Sequence, residues 1–171
     1  VGDVILGVAG KPFSYDPRIE FGKAITAAET PAGGGKLTLI RWRDGKTEKV
    51  TLRLPVLGTY SPTAPYNCPK SKRILEQGCN ALAERMAAPS YGKGFNPIPR
   101  ALNALGLLAS GEPTYLPLLK KEAEWAAQFR TASFPTWYYG YVMMFLAEYK
   151  LATGDESVMP GLRRLALEAA H

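Results

Sequence analysis

The chain has one histidine, His171 at its last position, and two cysteines, Cys68 and Cys79, in 171 residues. A Ser-His or Cys-His dyad would depend on that terminal residue, so nucleophilic catalysis of this kind is set aside. Two cysteines are too few for a disulfide scaffold and lack the paired CxxC spacing of a zinc site. Each is read as a structural thiol, with a Cys68–Cys79 disulfide left to geometry. No HExxH, P-loop or dinucleotide fingerprint occurs, and no set of His, Cys, Asp and Glu has metal-ligand spacing, so neither cofactor nor metal is expected. No apolar run approaches the roughly 20 residues that cross a bilayer. No signal peptide stands at the N-terminus, and Val1 falls in what reads as the middle of a domain, as in a fragment of a longer protein.

Concentrated charge is also missing. The formal net charge is +6, but residues 1–57 hold nine Lys and Arg against six Asp and Glu, leaving twelve against nine for the rest. Nucleic-acid binding needs basic residues gathered on one face. The one local cluster, Lys70, Lys72 and Arg73, reads as a solvated helix start, so no nucleic-acid partner is expected.

Composition changes along the chain. The first third alternates apolar and polar residues around Gly and Asp turns, and the last hundred residues are rich in Ala and Leu at helical spacing. The fold class is therefore α+β, with a β-rich domain at 1–57, a proline-rich linker at 58–72 and helical hairpins at 73–171.

Within 1–57, GDVILGVAGKPF reads as strand, tight turn and short strand. Asp16 and Pro17 lead into a helix from about Ile19 to Glu29, with Phe21, Ile25 and Ala28 on one buried face. KLTLIRWR and KTEKVTLRL then flank Asp44-Gly45, a strong two-residue turn signal, and Val50, Leu52 and Leu54 share a face. In the linker, Ser71 is positioned to cap a helix from about Lys72 to Ala87.

The helical region contains a repeat. Residues 101–128 align without gaps over 144–171 at an offset of 43: Ala104 with Ala147, Leu108-Ala109 with Leu151-Ala152, Gly111 with Gly154, Pro117 with Pro160, Ala123 with Ala166. Each unit reads as a helix, a turn whose Gly takes the left-handed conformation, and a second helix capped by Thr114 or Ser157. Stacked αα-hairpins of this period build an open solenoid or a closed toroid.

The order GDVILGVAGKPF, amphipathic helix, KLTLIRWRDGKTEKVTLRL resembles the C-terminal two-thirds of a bacterial PDZ domain of the protease-associated type. That resemblance implies a peptide groove whose helix positions are Glu20, Ala24 and Ala27, and a partner that is a peptide or protein C-terminus. The chain departs from the family in lacking the first strand, the carboxylate-binding loop and the second strand. As a whole, through YSPTAPYNCPKS at 60–71, WYYGY at 137–141 and LATGDES at 151–157, it resembles an uncharacterised bacterial family. There a PDZ-like domain precedes an α/α-toroid domain shaped like terpenoid cyclases and six-hairpin glycosidases. The likeness points to an exported or periplasmic bacterial protein and assigns no activity.

Glu148, Asp155 and Glu156 are the carboxylates a toroid glycosidase would draw on, although Asp155 and Glu156 also suit a helix start and Glu148 a solvated position. Among the aromatics Phe134, Trp137, Tyr138, Tyr139, Tyr141, Phe145 and Tyr149, the i, i+3, i+7, i+11 stripe from Tyr138 reads as core. Trp137 and Tyr139 are then free to face a ligand. Two functions follow: a peptide- or protein-binding scaffold module, or the targeting end of an α/α-toroid enzyme whose catalytic residues lie mostly outside this sequence.

Overall fold

A computed structural model describes residues 2–93, 96–131 and 136–170. The chain divides into two units, 1–74 and 75–171. The fold is α+β: a four-stranded antiparallel sheet with one helix, followed by helices.

In the first unit, β1 (Val4–Val8), β2 (Lys11–Pro12), β3 (Lys36–Arg43) and β4 (Lys46–Arg53) lie in the order β2-β1-β3-β4. Two tight turns set the register. Ala9 and Gly10 have φ of 51° and 78°, and Asp44 and Gly45 have 49° and 77°, the double left-handed geometry that matches strand twist. The second turn pairs Arg43 with Lys46 and carries the ladder to Lys36 and Arg53. A bulge between Ile5 and Gly7 bends β1.

Helix α1 (Pro17–Ala28) starts at Asp16, whose side chain accepts from the Arg18 N–H, with Pro17 in the first turn where a missing N–H is harmless. It packs on β1 and β3, burying Val8, Ala28, Leu37 and Leu39, with Phe21, Ile25 and Leu54 partly enclosed. Leu52, which shares a face with Val50 and Leu54, is 42% exposed, because α1 packs on β1 and β3 rather than on β4.

The proline-rich segment is fastened to this unit. Gly58 N–H donates to the Glu29 carbonyl at 2.9 Å, and the Lys70 ammonium meets the Glu29 carboxylate at 2.5 Å and lies 4.4 Å from the Tyr60 ring centre. Lys70 is 1% exposed and so is not part of a solvated helix start. Burial is tolerated because both the charge and the aromatic face meet it.

Helix α2 (Pro69–Ala87) begins in the first unit, and its residues from Leu75 belong to the second. It starts earlier than the Ser71 cap implied: Pro69 occupies the first turn, and the Lys72 N–H already bonds the Cys68 carbonyl at 3.0 Å.

The second unit contains two helix pairs, α3 (Pro97–Ala109) with α4 (Leu116–Gln128) and α5 (Thr136–Thr153) with α6 (Met159–Ala170). Gly111 and Gly154 end the first helix of each pair at φ of 69° and 73°. A 3₁₀ turn, Pro113–Tyr115 or Glu156–Val158, opens each second helix, so Thr114 and Ser157 lie inside that turn. The capping group is Asp155, which accepts from the Ser157 N–H at 2.9 Å.

Small side chains let these helices approach: Ala101, Ala104, Ala123 and Ala126 are buried with Leu107, Leu119, Phe145, Leu146 and Leu165. Contact is close where Gly161 of α6 meets Ala127 of α4; a Cβ on Gly161 would lie 2.4 Å from the Ala127 carbonyl oxygen. The second pair is less covered, with Leu151 and Leu167 exposed. Among the described residues no helix is long and apolar enough to cross a membrane.

Candidate functional site

The largest cleft described lies in the second unit, about 970 Å³, at the upper end of ordinary ligand sites. Three stretches build it: the end of α2 with the turn after it (Arg85, Ser90 to Gly92), the opening of α3 (Asn96 to Asn103) and the end of α4 (Trp125 to Arg130). Asn96 caps α3 through its side-chain oxygen on the Ile98 N–H at 3.0 Å, and Pro97 and Pro99 sit where helix N–H groups have no partner anyway. That brings Arg100 and Asn103 onto one face.

Arg100 organises the cleft. Its Nε donates to Glu122 Oε2 at 2.5 Å and its Nη2 to Oε1 at 3.1 Å, a two-point pairing that fixes the guanidinium plane. Trp125 lies on one side, ring centre 3.9 Å from Cζ, and Tyr91 stands 5.7 Å away. Gly92, at φ 75°, closes the remaining corner: a Cβ there would stand 2.4 Å from Nη1, so both backbone and space call for glycine. The Asn103 amide donates to the Tyr91 hydroxyl at 3.2 Å, and burial pushes the Tyr91 phenol up. Behind the wall, Arg164 donates to the carbonyls of Ala127 and Phe129, and Glu168 bonds Arg164 at 2.8 Å and meets Arg130 at 3.5 Å. Arg164 thereby holds the Glu168 carboxyl below its usual range.

The lining offers guanidinium, amide, hydroxyl and aromatic groups. Glu122 lies behind Arg100 and does not line the cleft. Such a set offers hydrogen-bond donors, acceptors and aromatic faces but, among the described residues, no nucleophile paired with a base. Among the described residues no group of three His, Cys, Asp or Glu could hold a metal ion.

The residues singled out in the sequence lie elsewhere. Ala24 and Ala27 line a smaller hollow of about 310 Å³ with Gly10, Lys36 and Thr38 in the first unit. Glu20 does not join them, because its carboxylate accepts from the Ser14 hydroxyl at 2.9 Å and from the Ser14 N–H. Trp137 is exposed and lines none of the described hollows. Tyr139 is buried at 4% exposure, edge-on to Phe129 at 6.1 Å, so it supports the wall from behind and does not face a ligand. The buried residues of α5 are Tyr139, Val142, Phe145, Leu146 and Tyr149: Phe145 and Tyr149 of the expected stripe are in the core, whereas Tyr139 and Val142 take the inward places expected of Tyr138 and Tyr141.

Glu148 is exposed; Asp155 caps the 3₁₀ turn, accepts from the Tyr149 hydroxyl at 3.2 Å and is held acidic chiefly by Ser157. Glu156 pairs with Lys150 at 3.0 Å. None of the three lines the cleft. Phe134 and His171 lie outside the described residues. Both cysteines are free thiols and buried.

Sequence reasoning missed Arg100, Glu122 and Trp125, although the repeat holds a signal for them. At the 43-residue offset Arg100 aligns with Met143 and Glu122 with Leu165. Leu165 is fully buried in the core, so an acid at the matching position of the other copy marks a buried charge that needs a partner.

A family model described as "Domain of unknown function (DUF6288)" matches residues 71–171, which contain the whole cleft. No curated protein and no solved structure matches the chain.

Proposed function

We propose a function for this chain from one premise: it belongs to the DUF6288 family. It is a peptide- or protein-binding scaffold module of a larger bacterial protein, and the ligand occupies the Arg100 cleft of the helical unit. The observation that carries this reading is the locked Arg100. A guanidinium held by Glu122 on one edge and stacked on the Trp125 ring, with Tyr91 near by, is preorganised for recognition, which lowers the entropy lost on binding.

The first unit serves as a PDZ-like recruiting element. Its strand-turn-strand, helix and Asp-Gly hairpin order supports this, as does the hollow beside Ala24 and Ala27. The paired helices are units of an α/α toroid or solenoid, a reading supported by the matching glycine turns at 111 and 154. The alternative, the targeting end of a toroid enzyme, has less behind it, since Asp155 and Glu156 are occupied in capping and pairing.

The test is a screen of the intact chain against peptides with free C-termini, repeated with Arg85→Ala/Arg130→Ala and with Ala24→Arg. Both arginines are exposed, so their loss leaves the fold intact. Cleft binding predicts that the double variant loses about tenfold in affinity or more while Ala24→Arg binds as the parent does. The opposite pattern would move the site to α1.

A further inference from the structure

We infer that the ligand of the Arg100 cleft is an acidic peptide segment, recognised through carboxylates; this rests on the binding reading just given and adds the chemistry of the partner. The cleft is unbalanced in charge. Among the described residues three arginines, Arg85, Arg100 and Arg130, line it and no Asp or Glu does. Arg100 is neutralised by Glu122, which takes its Nε and Nη2, and acts as a fixed donor; among the described residues its Nη1 has no hydrogen-bond partner. The net positive charge therefore comes from Arg85 and from Arg130, whose contact with Glu168 is long at 3.5 Å and 71% exposed on the arginine side. The N-terminal end of α3, a thirteen-residue helix, opens on the same cleft and adds a positive dipole end.

Three features select among anions. The Trp125 face is occupied by Arg100, and its ring meets Phe129 edge-on at 5.9 Å, so the arrangement is spent on holding the guanidinium and not on stacking a nucleobase. A neutral sugar presents hydroxyl donors that carboxylates accept best, and the described lining residues include none. The side-chain amides of Asn96, Asn103 and Gln128 supply both donors and acceptors, which suits a peptide main chain. Arginines from separate stretches of the chain also suit several carboxylates better than one small ion.

The experiment uses the intact chain in a Trp42→Phe/Trp137→Phe background, where Trp125 is the sole tryptophan and its fluorescence reports the cleft. It is titrated with a Glu-rich decapeptide, the matching Gln-rich decapeptide, an oligogalacturonate and inorganic phosphate. The expected result is saturable binding of the Glu-rich peptide, at least about tenfold weaker binding of the Gln-rich one, and weakening with added salt. Arg85→Gln/Arg130→Gln should lose the preference for acid while unfolding at the parent's temperature. Equal binding of the two peptides, insensitive to the arginine pair, would overturn the acidic inference and leave the binding function standing. Binding of phosphate or oligogalacturonate alone would overturn the peptide as ligand. No binding of any probe would overturn both.

Discussion

Arg100 and Glu122, twenty-two residues apart in sequence, join through two hydrogen bonds inside the helical unit, where the carboxylate retains 2% of its exposure and the guanidinium 16%. Removing one member of such a pair leaves the other charge without its counter-ion in a medium that solvates it poorly. Glu122→Gln is therefore expected to destabilise the helical unit by about 3 kcal/mol, measured as a shift of the urea midpoint. Glu122→Leu with Arg100→Met, which copies the matching positions of the second repeat, should recover much of that loss while abolishing ligand binding. Stability and recognition thus separate at one site.

Close helix contact at Gly161 gives a second prediction. Gly161→Ala drives a methyl into the Ala127 backbone, and overpacking of this kind costs about 1–3 kcal/mol. Gly140→Ala is the control: nothing lies within 4 Å of its Cβ position on α5, and the substitution should stabilise by up to about 1 kcal/mol through helix propensity. Thermal unfolding of the two variants should move in opposite directions.

A third concerns Cys68 at the start of α2. Ser71, then the N–H groups of Ser61 and Ser71, stabilise its thiolate and lower its pKa to about 6 from an ordinary 9.0. The folded state therefore releases the proton at lower pH than the unfolded chain. The stabilisation is absent below about pH 6, grows as pH rises, and is complete above the unfolded value. Cys68→Ser should cost more stability at about pH 8.5 than at about pH 5.5, read from urea midpoints of both proteins at both pH values. A loss independent of pH would show that the thiol stays protonated.

Much of the architecture was readable because local chemistry and tertiary structure agree. Asp44-Gly45 forms the double left-handed turn its residues favour, and Gly111 and Gly154 end helices at equivalent points of the 43-residue repeat. In α5 the spacing places Phe145 and Tyr149 in the core correctly, but Tyr139 and Val142 take the inward places of Tyr138 and Tyr141, because that helix is apolar on most sides and periodicity alone does not choose the inward face. Lys70 looked solvated because a lysine's partner, here Glu29, lies 41 residues away. The cleft was hidden for the same reason. Tyr91, Arg100, Glu122 and Trp125 become neighbours only through helix packing, and each alone reads as an ordinary surface or core residue.

The most direct measurement of the central claim is an NMR titration of the ¹⁵N-labelled intact chain with the Glu-rich decapeptide, following the Arg100 Nε–H and the Trp125 indole N–H together with the backbone amides. Binding in the cleft predicts saturable shifts at both side chains and at Arg85, Gly92, Asn103 and Arg130, with Ala24 and Ala27 unmoved. Saturable shifts confined to α1, with the cleft signals stationary, would contradict it.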